Sequence, residues 1–373
     1  MKLFTVLTSL MISTVMTTSL MVTPTAAAEV SPKAATATTT PAPFVQVTEV
    51  DLYDQKRQRP VKITLWYPAQ TGCHDEKICL AAHTKLNKAM VFSHGAMGAA
   101  KGYSWIGKMF AAQGYVTVGV NHYGESWVYG PEHVNPAAAL QFWERPLDIS
   151  FVLDKLQSNL LTTAAITPAE ATAASTPAQT VAPKTAHHIF NRKIAWDQII
   201  AVGHSSGGAT MLTMAGSQLA FEDAATYCAT AAAATDRSCH YLKFQTEANT
   251  KGYNPAQSFF DARIKSVIAL DPALGHATTT QSLQAMTIPV LVIGSRQNDF
   301  LPYDRHAGFY ASHIPAAQSL SFNQGEGHFV YLDPCKHQYQ AMGVALCTDR
   351  PGVDRNLVQQ EAGAVMLKFV SRQ

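Results

Sequence analysis

Gly203-His204-Ser205-Ser206-Gly207 has the G-x-S-x-G spacing that makes a serine a candidate nucleophile, and Gly208 follows at once. A serine hydroxyl attacks a carbonyl only when a base takes its proton and the backbone lifts it clear of its neighbours. A tight turn from strand to helix does the lifting, and small flanking residues let that turn close. The apolar run Ile199-Ile200-Ala201-Val202 and a helical pattern at 207–219 supply the context. The plainer alternative is a glycine-rich turn without chemistry.

Attack on a carbonyl builds an oxyanion that two N–H groups should hold. One is expected from Ser206, directly after the nucleophile. The other is expected from Ser93-His94-Gly95-Ala96-Met97-Gly98, with Ala96 the first choice and Met97 the near alternative. Among 14 histidines, His328 in Gly325-Glu326-Gly327-His328-Phe329 lies after the last expected strand, where the base of such a site belongs. An acid must then orient the imidazole. Asp299, in Arg296-Gln297-Asn298-Asp299-Phe300, is the first candidate, and Asp271, in Leu270-Asp271-Pro272, is the second. Pro272 is expected to hold Asp271 extended, which would turn its carboxylate toward neighbouring N–H groups.

These residues need a frame. Period-two patterning at 44–47 and 61–66 predicts two antiparallel strands. Apolar runs at 89–92, 115–120, 199–202, 264–270, 290–293 and 319–322 then alternate with helical patterns at 105–112, 146–156, 207–219 and 354–370. That alternation predicts a mostly parallel central sheet with helices on both faces. With G-x-S-x-G at a strand–helix joint, the expected class is the α/β-hydrolase fold, over residues 44–373. Two insertions interrupt it. Residues 160–187 are rich in Ala, Thr and Pro, and residues 221–259 either cover the site or form a solvated excursion.

The 373 residues are 14% charged with a net charge of +2, and no Lys/Arg cluster stands out. Nucleic acid and anionic membranes therefore have no electrostatic footing as partners. No stable protein partner is expected either. Lys2, a hydroxyl-diluted apolar run to Val22 and Ala26-Ala27-Ala28 predict an export signal over residues 1–28, with a membrane anchor as the alternative. An Ala/Thr/Pro linker follows at 29–43, and the location expected is periplasmic or secreted. Six cysteines fall in three close pairs, 73–79, 228–239 and 335–347, which an oxidising compartment would close. Neither C-x-x-C nor H-E-x-x-H occurs, so no metal and no cofactor are expected.

At these motifs the chain resembles bacterial hydrolases described as predicted dienelactone hydrolases, relatives of platelet-activating-factor acetylhydrolases and polyester-degrading cutinases. The matching stretches are SHGAMG, QGYVTVGVNHYG, ERPLDISFVLDKL, GHSSGG, VIALDPALG, IPVLVIGSRQNDFLPY and GEGHFVYLDPC, spread over residues 60–335. The resemblance implies a cofactor-free serine esterase using Ser205, His328 and Asp299 on a small-molecule or lipid-like ester. There are departures. The dienelactone hydrolases proper use cysteine where this chain has Ser205, so their substrate is not implied. In the acetylhydrolase relatives the acid follows the earlier strand, which points to Asp271. The rival readings are a serine peptidase or amidase on the same fold, and an inactive binding protein built on it.

Overall fold

The computed structural model describes residues 44–70, 78–158, 160–161, 187–246, 251–335 and 337–373. The expected export signal and linker lie outside these residues, as do Cys73 and most of the first insertion. Eight strands form one sheet: β1 (Val45–Asp54), β2 (Arg59–Pro68), β3 (Ala89–Ser93), β4 (Val116–Asn121), β5 (Ile199–His204), β6 (Ile264–Leu270), β7 (Val290–Ser295) and β8 (Gln318–Phe322). Their order is β1-β2-β4-β3-β5-β6-β7-β8. The β1–β2 and β2–β4 pairs are antiparallel, and every other pair is parallel. This is the α/β-hydrolase sheet, as the alternation of patterns predicts.

Because β4 lies outside β3, the chain leaves β3 in one direction and returns past it to β5. Connections from adjacent strands then diverge, and a crevice opens at the carboxyl ends of β3 and β5. Helices close both faces. On one side α1 (Ser104–Ala112) and the last helix, α7 (Arg355–Val370), bury Ile106, Phe110, Met366 and Phe369 against Phe92, Ile200 and Ile268. On the other, α2 (Glu144–Gln157) and α3 (Ser206–Met214) bury Ile149, Val152, Leu156 and Met211 against Val91, Ala201 and Val267. Phe92 and Val91 are neighbours in β3 yet serve opposite cores, since successive side chains of a strand point to opposite faces. The helix α3 ends at Met214, short of the pattern that ran to 219. Gly216, at φ 114°, turns the chain, and the Ser217 N–H returns to the Leu212 carbonyl.

The second insertion is docked, not a loose excursion. It holds α4 (Phe221–Cys228) and a 3₁₀ turn, Arg237–Phe244, joined by the expected Cys228–Cys239 disulfide. Phe221 stacks on Phe142 at 5.7 Å, and Tyr253 meets the same ring edge-on at 5.5 Å. On its other side the Arg237 N–H donates to the Phe300 carbonyl at 2.9 Å. Two shorter helices, α5 (Thr280–Gln284) and α6 (Ala307–His313), follow β6 and β7. The Cys335–Cys347 bridge also forms as expected, and Cys79 is disulfide-bonded too. Among the described residues no helix is long and apolar enough to cross a membrane.

Candidate active site

Ser205 stands where β5 gives way to α3, with φ 57° and ψ −122°. A residue with a Cβ pays strain there, of order 1–3 kcal/mol, and needs its surroundings to hold it. Its N–H donates to the Leu270 carbonyl at 2.9 Å, and its own carbonyl accepts from Ala273 at 3.0 Å and Ala209 at 3.1 Å. The turn closes only because its flanks are bare. A Cβ on Gly203 would run into the Gly207 carbonyl, and one on Gly207 into that of Ser93.

The loop after β3 lies directly against the serine: a Cβ on Gly95 would sit 3.3 Å from that of Ser205. It turns through Ala96 and Met97, with Gly98 N–H returning to the Gly95 carbonyl at 3.1 Å and Met97 at φ 58°. Among the described residues, neither the Ala96 nor the Ser206 N–H donates to a protein acceptor. The two expected oxyanion donors are therefore both free, one on the loop after β3 and one at the start of α3, on either side of Ser205.

His328 opens a 3₁₀ turn, His328–Tyr331, and is fully buried, with Phe300 stacked on its ring at 5.2 Å. The structure places the two candidate acids differently from expectation. It is Asp271 that reaches the imidazole, Oδ2 standing 3.6 Å from Nδ1. Asp299 instead accepts the backbone N–H of His328 at 2.9 Å and faces Arg350 at 3.2 Å. The reason is steric as well as polar. The Asp299 carboxylate lies under the backbone at Gly327, where an added Cβ would come within 2.8 Å of it. Asp271 is not extended either. It takes φ 37° despite Pro272, which turns its carboxylate off the strand axis toward His328. One oxygen accepts the Ser295 N–H at 2.8 Å, while Oδ2 is buried without a hydrogen bond.

Asn298 completes this corner. Its Oδ1 accepts from the Phe300 and Leu301 N–H groups, which turns its amide nitrogen toward His328 Nδ1, 3.3 Å away. Burial disfavours charge on both partners. It pushes the Asp271 carboxyl up to about 7, against the pull of the Ser295 N–H, and draws the His328 imidazole down to about 3. The imidazole therefore rests neutral, able to accept a proton.

Two buried networks hold the loops, and the sequence offered no spacing by which to find them. In the first, the Gly95 N–H donates to Tyr103 Oη at 3.3 Å, and Tyr103 Oη hydrogen-bonds His204 Nδ1 at 2.7 Å. His204 Nε2 then donates to the His328 carbonyl at 3.0 Å. The second lies behind the loop. Arg145, fully buried, is held by both oxygens of Glu125 at 2.7 Å and donates to the His94 carbonyl at 2.7 Å. Asp148 gathers Arg57, Arg59 and His122, and His122 Nε2 accepts from Ser93 Oγ at 2.9 Å. Burial alone would raise the Asp148 carboxyl, yet His122 and Arg59 hold it well below the usual carboxylate range.

The geometry supplies a strained serine beside two N–H groups without a protein acceptor, and a neutral buried imidazole with a carboxylate 3.6 Å from its Nδ1. This set can carry out acyl transfer. No family model matches the chain, and no curated protein does. Among solved structures it is similar to a ferulic acid esterase from Streptomyces cinnamoneus, with 17% identity over 80% of this chain and 78% of that one, and a TM-score of 0.45.

Proposed function

We propose that the protein is an exported serine hydrolase that cleaves carboxylic esters through Ser205, His328 and Asp271. The observation that carries the reading is Ser205 at its strained joint with a buried carboxylate 3.6 Å from the imidazole Nδ1. His328 takes the Ser205 proton as Oγ attacks the ester carbonyl carbon. The N–H groups of Ser206 and of Ala96, or Met97 beside it, hold the oxyanion. Asp271 steadies the imidazolium while it lasts. Collapse expels the alcohol, which receives the proton from His328. Water then attacks the acyl-enzyme and gives its proton to the same imidazole; the second tetrahedral intermediate expels Ser205 Oγ, which takes that proton back from His328, and the free acid leaves. Asp299 serves by fixing the backbone of His328.

A narrow recess beside Ser206 is lined by Phe142, Leu219 and Leu274 together with Arg145, Thr210 and Thr213. Disulfides support an oxidising location, periplasmic or secreted.

The test is labelling with a fluorophosphonate probe, followed by p-nitrophenyl esters from acetate to palmitate. Wild-type protein should label and turn over esters of this series, and Ser205→Ala should do neither. A wild-type protein that neither labels nor hydrolyses any ester would return the chain to the binding-protein reading. Faster turnover of anilides than of matched esters would favour an amidase.

A further inference from the structure

A second cluster of chemistry-bearing side chains lies outside the machinery above. Asp236 caps the 3₁₀ turn of the second insertion, His276 sits in a short turn after β6, and His306 precedes α6. Asp236 and His306 are fully buried residues, and the His276 side chain is 3% exposed. His306 Nε2 stands 2.7 Å from Asp236 Oδ2, and His276 Nδ1 stands 3.8 Å from the same oxygen. One ligand atom from each residue lies within 4.8 Å of the other two.

We propose that Asp236, His276 and His306 form a binding site for a divalent transition-metal ion, with zinc the best match. Two imidazole nitrogens and one carboxylate oxygen make a borderline donor set of the kind zinc takes. Bonds of about 2.0–2.2 Å around a tetrahedral ion put ligand atoms roughly 3.3–3.5 Å apart. The observed 2.7 and 3.8 Å lie on either side of that spacing.

Two further observations point to a ligand. His276 Nδ1 is buried with no hydrogen-bond partner, although it faces a carboxylate. His306 Nδ1 is buried without a hydrogen bond as well, and the ring of Tyr227 stacks on His276 at 4.5 Å. A plain Asp–His pair would leave the His276 nitrogen idle, whereas a metal uses it. The carboxylate is already oriented for the role. Asp236 Oδ1 accepts from the N–H of Ser238 at 2.9 Å and from its hydroxyl at 2.5 Å, leaving Oδ2 for the cluster. Arg305 lies 5.8 Å from the Tyr227 ring centre and adds a positive charge nearby. A bound ion would pin the insertion to the loops after β6 and β7, which carry Asp271 and Asn298. The proposal stands whether or not Ser205 is a nucleophile.

The test uses the full mature chain, purified without a histidine tag and stripped by a chelator. It is incubated with zinc chloride, desalted, and its metal content measured by mass spectrometry. Wild-type protein should retain one zinc per chain and melt higher with zinc than without. His276→Ala should retain at least tenfold less, with an unchanged circular dichroism spectrum. Two results would overturn the proposal: no zinc retained by wild-type protein, or equal retention by His276→Ala. Should that variant not fold, cobalt-loaded wild-type protein decides. Strong visible absorption from a four-coordinate site, displaced by zinc, supports the assignment. The weak absorption of six-coordinate surface cobalt rejects it.

Discussion

Asp271 Oδ2 faces His328 Nδ1 at 3.6 Å and has no hydrogen bond of its own, while the carboxylate of Asp299 is spent on the His328 backbone and Arg350. The two acids are thus separable by mutation. Asp271→Asn should lower kcat on a simple ester by about 10⁴, because the amide permits the wrong imidazole tautomer. Asp299→Asn keeps an oxygen for the His328 N–H and should lose about tenfold or less. Measured kcat values in the opposite order would return the acid to the later strand.

The same carboxylate sets a pH dependence with a definite sign. Its folded value of about 7 lies above the ordinary 3.8, so the folded state binds this proton more tightly than the unfolded chain does. The stability it contributes is present below 3.8 and is lost as pH rises through 7. Asp271→Asn should therefore melt a few degrees above wild type at pH 8, and the gap should shrink toward pH 4. A constant gap across that range, read by thermal melts, would contradict the assignment. Activity should run the other way, kcat/KM rising as the pair loses its proton near neutrality.

Backbone strain at Ser205 predicts another gain in stability bought with function. Ser205→Gly should relieve the φ 57°, ψ −122° conformation and raise stability by about 1–3 kcal/mol, while abolishing turnover. Ser205→Ala should abolish turnover equally and leave stability within about 0.5 kcal/mol. Urea titration of the three proteins checks both. Equal stability of the Gly and Ala variants would show that the turn is unstrained.

Arg145 and Glu125 form a buried bidentate pair behind the loop that carries Ala96. Arg145→Met should cost about 3–5 kcal/mol, since it strands a carboxylate in the interior. Arg145→Met with Glu125→Leu should recover most of that. Catalysis should recover less, because the His94 carbonyl still lacks its donor. Recovery of both in step would mean that the pair serves stability alone.

The sheet and the turn at Ser205 were legible because they are local. Apolar periodicity and G-x-S-x-G both act over a few residues, and His328 was placed by its position after β8. The acid was not legible, because two aspartates each follow a strand and the choice rests on how single residues turn. Pro272 argues for an extended Asp271, yet the hydrogen bond from Ser295, a strand away, holds it at φ 37°. The cluster proposed to bind a metal has no signature in the sequence, since metal motifs are read from ligands close in the chain. Asp236, His276 and His306 come from three separate loops, and only the packing of the second insertion brings them together.

His204 occupies the freely varying place in G-x-S-x-G, but here it is committed on both sides. Tyr103 Oη occupies one ring nitrogen, and the His328 carbonyl occupies the other. A descendant of this chain that exchanges His204 for an apolar residue strands a phenol and a carbonyl in the interior in a single step. Exchanging Tyr103 for phenylalanine first frees the Gly95 N–H and leaves an imidazole nitrogen idle. The two positions are thus bound to change together, and an alignment of sequences that keep this arrangement should carry them as a correlated pair, with tyrosine at 103 wherever histidine stands at 204.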